Sequence, residues 1–143
     1  MRSTKTLFAI ATMALLAAGC GGDSNAPKDP GFTGRYGLVS VDGETLPLVL
    51  YDDPTLKLTV TDGALTLNSN SSFTEEVRLD VVANGFPAAP ELLTCRGSFQ
   101  RSGNSFTLTT IASDNCDVST ATGTLAGNTM TVDDQGQVLV FRR

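Results

Sequence analysis

The residues of this chain whose types allow chemistry are few: Cys20, Cys95 and Cys116, the acidic pairs Asp52/Asp53 and Asp133/Asp134, and Glu75. There is no histidine. That removes a histidine general base, a Ser-His-Asp triad and histidine-ligated metal centres. The acidic pairs offer oxygen ligands to calcium, but neither has the ligand spacing of a calcium-binding loop, and both read as solvated turns. No catalytic residue, metal or cofactor is expected, and the chain is read as a non-enzyme.

Glu75 stands out by its phase. In "SFTEEVRLDVV", residues 72–82, Phe73, Val77 and Leu79 fall on one face while Thr74, Glu76, Arg78 and Asp80 fall on the other. Glu75 belongs with the apolar set, so a regular strand would turn its carboxylate inward. A buried carboxylate needs a partner or a raised pKa, and such positions are functional candidates. A bulge near Thr74, or a place at a rim, would instead leave it in water.

The same two-residue period runs through "TLKLTVTD" (55–62), "SFTLTTI" (105–111), "NTMTVDD" (128–134) and "QVLVF" (137–141), and it marks half-buried strands. Turn sequences separate these runs: "VDGE" at 41–44, "TDGA" at 61–64, "NSNSS" at 68–72, "RSGN" at 101–104 and "LAGN" at 125–128. No sustained 3.6-residue period follows the first twenty residues. The expectation is an all-β domain, an antiparallel up-and-down meander of about eight strands, closed into a barrel that leaves no exposed edges.

The start of the chain is different. Arg2 and Lys5 precede the apolar run "LFAIATMALLAA" from Leu7 to Ala18. At about twelve residues, that run is too short for a helix to span a bilayer, which needs about 20, so it reads as an export signal. The sequence "LAAGC" ending at Cys20 resembles the bacterial lipobox. The resemblance implies lipidation of Cys20 and cleavage before it, making residues 1–19 a lipoprotein signal peptide. Several acyl chains on one residue anchor stably where a single chain does not. Gly21, rather than Asp, follows the cysteine, which in such lipoproteins permits sorting to the outer membrane of a Gram-negative cell. The expected localisation is the bacterial envelope.

Residues 20–33 then form the lipidated end and a tether, "GGDSNAPKDPGFT", whose 13 residues reach roughly 20 Å as a random coil. Loss of the signal removes two basic residues and no acidic one, which moves the net charge from −5 to −7. Such a charge opposes binding to nucleic acid and to anionic headgroups.

Residues 34–143 carry a second resemblance. "GRYGLVSVDGETLPLVL", "GALTLNSNSSFTEEVRL", "GSFQRSGNSFTLT", "GTLAGNTMTV" and the terminal "LVFRR" together look like small lipocalin-like barrels. Lipocalins pack a Gly-x-Trp of the first strand against a basic residue of the last. Here Gly34 and Tyr36 take the first part, with Arg142 as the basic partner (or its neighbour Arg143), and the pair is expected at the closed end.

With Cys20 given to lipid, Cys95 and Cys116 remain, and in an exported chain such a pair is expected to be bridged. If the hairpin turns at 102–104, Cys95 lies opposite the region of Ile111, and Cys116 could lie one strand beyond, about 10 Å away. The bridge therefore requires the loop "ASDNCDV" to fold back across the end of the sheet. Two functions remain open. The barrel could bind a small hydrophobic ligand between Leu58, Phe73, Glu75, Val77, Leu79, Phe99 and Phe106. Alternatively, a packed barrel without ligand could act as a structural or protein-interaction module of the envelope. An eight-stranded barrel is near the size at which either interior forms.

Overall fold

The structure is a computed structural model and describes residues 31–113 and 116–143. The expected signal segment, Cys20 and most of the expected tether lie outside the described residues. The strands are β1 (Gly34–Val41), β2 (Glu44–Thr45), β3 (Leu48–Asp52), β4 (Leu56–Leu67), β5 (Ser72–Ala83) and β6 (Phe86–Pro87). They continue as β7 (Glu91–Ser102), β8 (Ser105–Thr110), β9 (Thr120–Ala126), β10 (Thr129–Asp134) and β11 (Gln137–Arg142). All pairings between them are antiparallel.

Eight of these strands close a ring in the order β1-β4-β5-β7-β8-β9-β10-β11, and β11 returns to β1. Closure consumes the backbone donors and acceptors that an open sheet would leave at its edges. The short strands β2, β3 and β6 lie off the ring, paired respectively to β1, β4 and β5. The chain reverses between β2 and β3 through the cis Leu46–Pro47 peptide.

The sequence "TDGA" at 61–64 does not make a hairpin. β4 runs unbroken from Leu56 to Leu67 and absorbs these residues as an irregularity between Val60 and Asp62. This is also where β4 changes neighbour: Ala64–Leu67 pair with β1, whereas 57–60 pair with β3. A bulge bends a strand and increases its twist, which lets one strand serve two partners.

The hairpins divide the barrel into two ends. Residues 68–71, 103–104 and 127–128 turn at one end, beside the start of β1 and the finish of β11. At the other lie the turns at 42–43, 84–85 and 135–136, and the segment joining β8 to β9.

The first end is plugged. Phe32 is 4% exposed, and its ring lies 5.5 Å from that of Phe99 and 5.4 Å from that of Phe106. The Tyr36 hydroxyl donates to the Phe32 carbonyl at 3.0 Å, and the Arg101 guanidinium lies 4.5 Å from the Phe32 ring. The packed body therefore begins at Phe32, two residues before β1.

The basic residue against Tyr36 is Arg143, not Arg142. Its guanidinium lies 4.6 Å from the Tyr36 ring centroid and donates to the Thr33 carbonyl. Arg142 is exposed and sits in register with Gly37 and Thr129. The reason is phase: Leu139 and Phe141 are the buried residues of β11, and continuing that alternation brings Arg143, not Arg142, to the inner side.

Candidate functional site

Most of the side chains expected to line a ligand pocket fill the barrel instead. Phe73, Leu79, Phe99 and Phe106 are buried in one continuous core with Tyr36, Leu65, Met130 and Phe141, and Val77 packs against it, partly buried. Leu58 is partly buried on the stretch of β4 beyond the irregularity, opposite Tyr51 and Val81, outside that core. Inside the barrel a cavity of about 20 Å³ remains, room for about one water molecule. Ligand pockets for drug-sized molecules are far larger, about 300–1,000 Å³.

Glu75 is at that cavity. Its register is regular on both sides, opposite Leu65 of β4 and Cys95 of β7, with no bulge near Thr74. The side chain therefore stays in phase with Phe73 and Leu79 and points inward. Facing it across the cavity is Asp134, the last residue of β10, in phase with the buried Met130 and Val132. Thr110 and Ser119 supply the remaining polar lining; the Ser119 hydroxyl donates to Thr110 Oγ1 at 3.3 Å.

The electrostatics follow from that placement. Burial pushes the Glu75 carboxyl above its usual range, and the Asp134 charge adds to the rise. Asp134 Oδ1 is buried and accepts no hydrogen bond from the described residues. Two carboxylates, two hydroxyls and a one-water space can hold a proton or a water molecule.

The rest of the two acidic pairs make local bonds near turns. Asp53 Oδ1 accepts from the Thr55 amide at 2.6 Å, the Thr55 hydroxyl at 2.7 Å and the Leu56 amide at 2.8 Å, while its second oxygen accepts from the Tyr51 hydroxyl. These bonds hold its carboxyl well below the usual range, Tyr51 contributing most. Asp52 pairs with Lys57 at 2.9 Å. Asp133 Oδ1 accepts from the Gly136 amide at 2.9 Å, closing the turn into β11. Among the described residues no group of three or more Cys, Asp or Glu is placed to hold a metal ion.

Cys95 and Cys116 are bridged, with Cα atoms 5.7 Å apart. The connection from β8 to β9 does fold back across the sheet end. The Ile111 amide donates to the Arg96 carbonyl at 2.9 Å, and Thr110 and Ser119 are held together by an amide-to-carbonyl bond of 2.9 Å. The bridge thus ties the connection to β7 directly opposite Glu75.

Two surface features complete the site. A groove of about 530 Å³ crosses the outer wall over β7 to β10; Ser105, Thr107, Thr122, Thr124 and Thr131 line it together with Arg101, Phe106, Gly123 and Asp133, and more of its surface is apolar than polar. Among the described residues the exposed large apolar side chains are Val49, Leu50, Tyr51, Phe86, Leu92, Ile111, Val118 and Val138, and all of these belong to the end opposite the Phe32 plug, called the acidic end for Glu75 and Asp134. Phe86 is 75% exposed and Val118 70%. β3 carries Val49, Leu50 and Tyr51, and among the described residues it pairs with β4 alone, on one of its two edges.

Sequence reasoning singled out Glu75 but took Asp134 for a turn residue. The signal that finds Asp134 is the one that found Glu75: in "TMTVDD" it continues the Met130, Val132 alternation. No protein-family model and no curated protein matches the chain.

Proposed function

We propose that this protein is a bacterial envelope lipoprotein with a lipocalin-like barrel, held to a membrane by lipid on Cys20, that works by docking another envelope protein at its acidic end. The filled interior carries this reading. A space of about 20 Å³ has no room for a hydrophobic guest, which favours a packed interaction module over a ligand carrier. The occupant is an extended segment of the partner, added as a strand along the edge of β3 that β4 does not take. Backbone groups of that edge provide the pairing, and Val49, Leu50 and Tyr51 provide apolar contact. Non-enzymatic action fits a chain without histidine.

The tether gives this surface its direction. The chain enters the body at Phe32, at the plugged end, so the apolar end lies at the far side of the barrel from the lipid. β5 alone has 12 residues, about 40 Å of extended strand, which sets the scale of that separation.

Site-specific photo-crosslinking in the native envelope tests the proposal. A crosslinker at Leu50 is expected to give one discrete adduct with another envelope protein, and the same group at Thr122, on the outer wall, none. The adduct should disappear with Cys20→Ser, which leaves the barrel intact and releases it from the membrane fraction. Equal labelling from Leu50 and Thr122, or no adduct from Leu50, would contradict the docking.

A further inference from the structure

Glu75 and Asp134 reach the same cavity from strands far apart in sequence. Seen from Glu75, β4 contributes Leu65, β8 Leu108 and Thr110, β9 Ala121, and β11 Leu139 and Phe141. From β7 its register partner is Cys95, which is bridged and does not titrate. Ser119 adds a hydroxyl already donated to Thr110. Asp134 is therefore the one charged group that faces Glu75 among the described residues lining this space.

Two carboxylates in a space for about one water molecule do not both stay ionised cheaply, because little solvent is present to screen them. Asp134 Oδ1 is meanwhile a buried acceptor with no donor among the described residues. Such groups are rare in folded proteins and call for a partner. A protonated Glu75 has the donor that Asp134 lacks. The cavity has room for a single water to carry the hydrogen bond between them.

We infer that Glu75 and Asp134 hold one proton between them, so that the barrel takes up a proton when it folds and its acidic end is tightened by mild acid. Burial and the neighbouring charge both raise the Glu75 carboxyl, which fixes the sign. The folded chain binds more protons than the unfolded chain in the interval between the ordinary glutamate pKa and the raised one. Stability therefore falls as pH rises through that interval and levels off above it. Protonated, the pair bridges β5 to β10 across the barrel. Doubly ionised, it repels itself and draws water in.

The test is a carboxyl ¹³C NMR titration of the full processed chain with its disulfide intact, run in EDTA and again with calcium chloride. Glu75 is expected to titrate well above the ordinary glutamate range, and equally in both buffers. Thermal midpoints followed over the same pH range should fall with pH in the wild type and stay level in Glu75→Gln, which keeps the shape and a donor but not the charge. A Glu75 midpoint in the ordinary range would overturn the shared proton. A titration that shifts with calcium would overturn it in favour of a bound cation. An unchanged slope in Glu75→Gln would also overturn it, and should that variant fail to fold, the wild-type titration decides alone.

Discussion

Alanine at Gly97 is expected to destabilise the barrel by about 3 kcal/mol or more, the upper range for overpacking a filled core. Gly97 pairs with Phe73 across β5 and β7, and Gly123 pairs with Phe106 across β8 and β9. In each pair the ring occupies the space a side chain would need. A Cβ on Gly97 would meet the Thr109 carbonyl carbon at 2.9 Å and Phe73 Cε1 at 2.6 Å. A Cβ on Gly123 would meet Phe106 Cε2 and the Thr131 carbonyl oxygen, both at 2.7 Å. Because backbone atoms of the neighbouring strands take part in both collisions, shortening the ring does not relieve them. Phe73→Leu is therefore not expected to rescue Gly97→Ala. Gly37→Ala is the control, since the nearest atom to its Cβ is the Arg142 carbonyl oxygen at 3.8 Å, ordinary contact. Urea unfolding midpoints of these variants, compared at constant slope, read the difference directly.

Loss of the Cys95–Cys116 bridge is expected to cost about 3 kcal/mol, the chain-entropy value for a loop of this size; the two residues are 21 apart in sequence. The effect should also be local. Without the bridge, the connection from β8 to β9 keeps the Ile111 to Arg96 bond and the Thr110 to Ser119 pairing at its base, while Ile111, Ser113, Asp117 and Val118 are exposed. Amide exchange in the double variant Cys95→Ala/Cys116→Ala should rise at Ser113 and Cys116→Ala while the β10–β11 ladder keeps its protection. Denaturant midpoints with and without reductant give the size of the effect. Equal midpoints, or exchange that rises evenly over the barrel, would contradict it.

The strands were legible because their chemistry is local. Alternation of apolar and polar residues identifies β5, β8, β10 and β11, and the Gly-Asn sequences of "RSGN" and "LAGN" mark the turns before β8 and β10. "TDGA" misled because the residues that suit a hairpin also suit a bulge, and which forms here depends on β4 pairing with β1 and β3 in succession. Closure of the ring needs the first strand to pair with both the last strand and residues 64–67, which no local pattern states; the need to cover exposed sheet edges pointed to closure, and the lipocalin-like resemblance agreed with it.

The site was half legible for the same reason. Glu75 interrupts a long apolar face and is conspicuous. Asp134 ends its strand beside Asp133, and the doublet resembles a solvated turn although only Asp133 closes one. That the two meet depends on barrel geometry. Phase alone would have preferred Arg143 to Arg142 as the partner of Tyr36. The resemblance directed attention to the last strand without choosing the residue. Phe32 was hidden in a segment rich in Gly, Pro and Asp, where a single apolar residue shows no periodicity.

The central claim is that the barrel is filled and carries no guest. Native mass spectrometry of the protein, purified from its own host without denaturation, tests it most directly. The predicted result is one mass, that of the covalent chain with its disulfide, unchanged when collisional energy is raised. A second mass that carries a non-covalent lipid, and loses it on activation, would contradict the account.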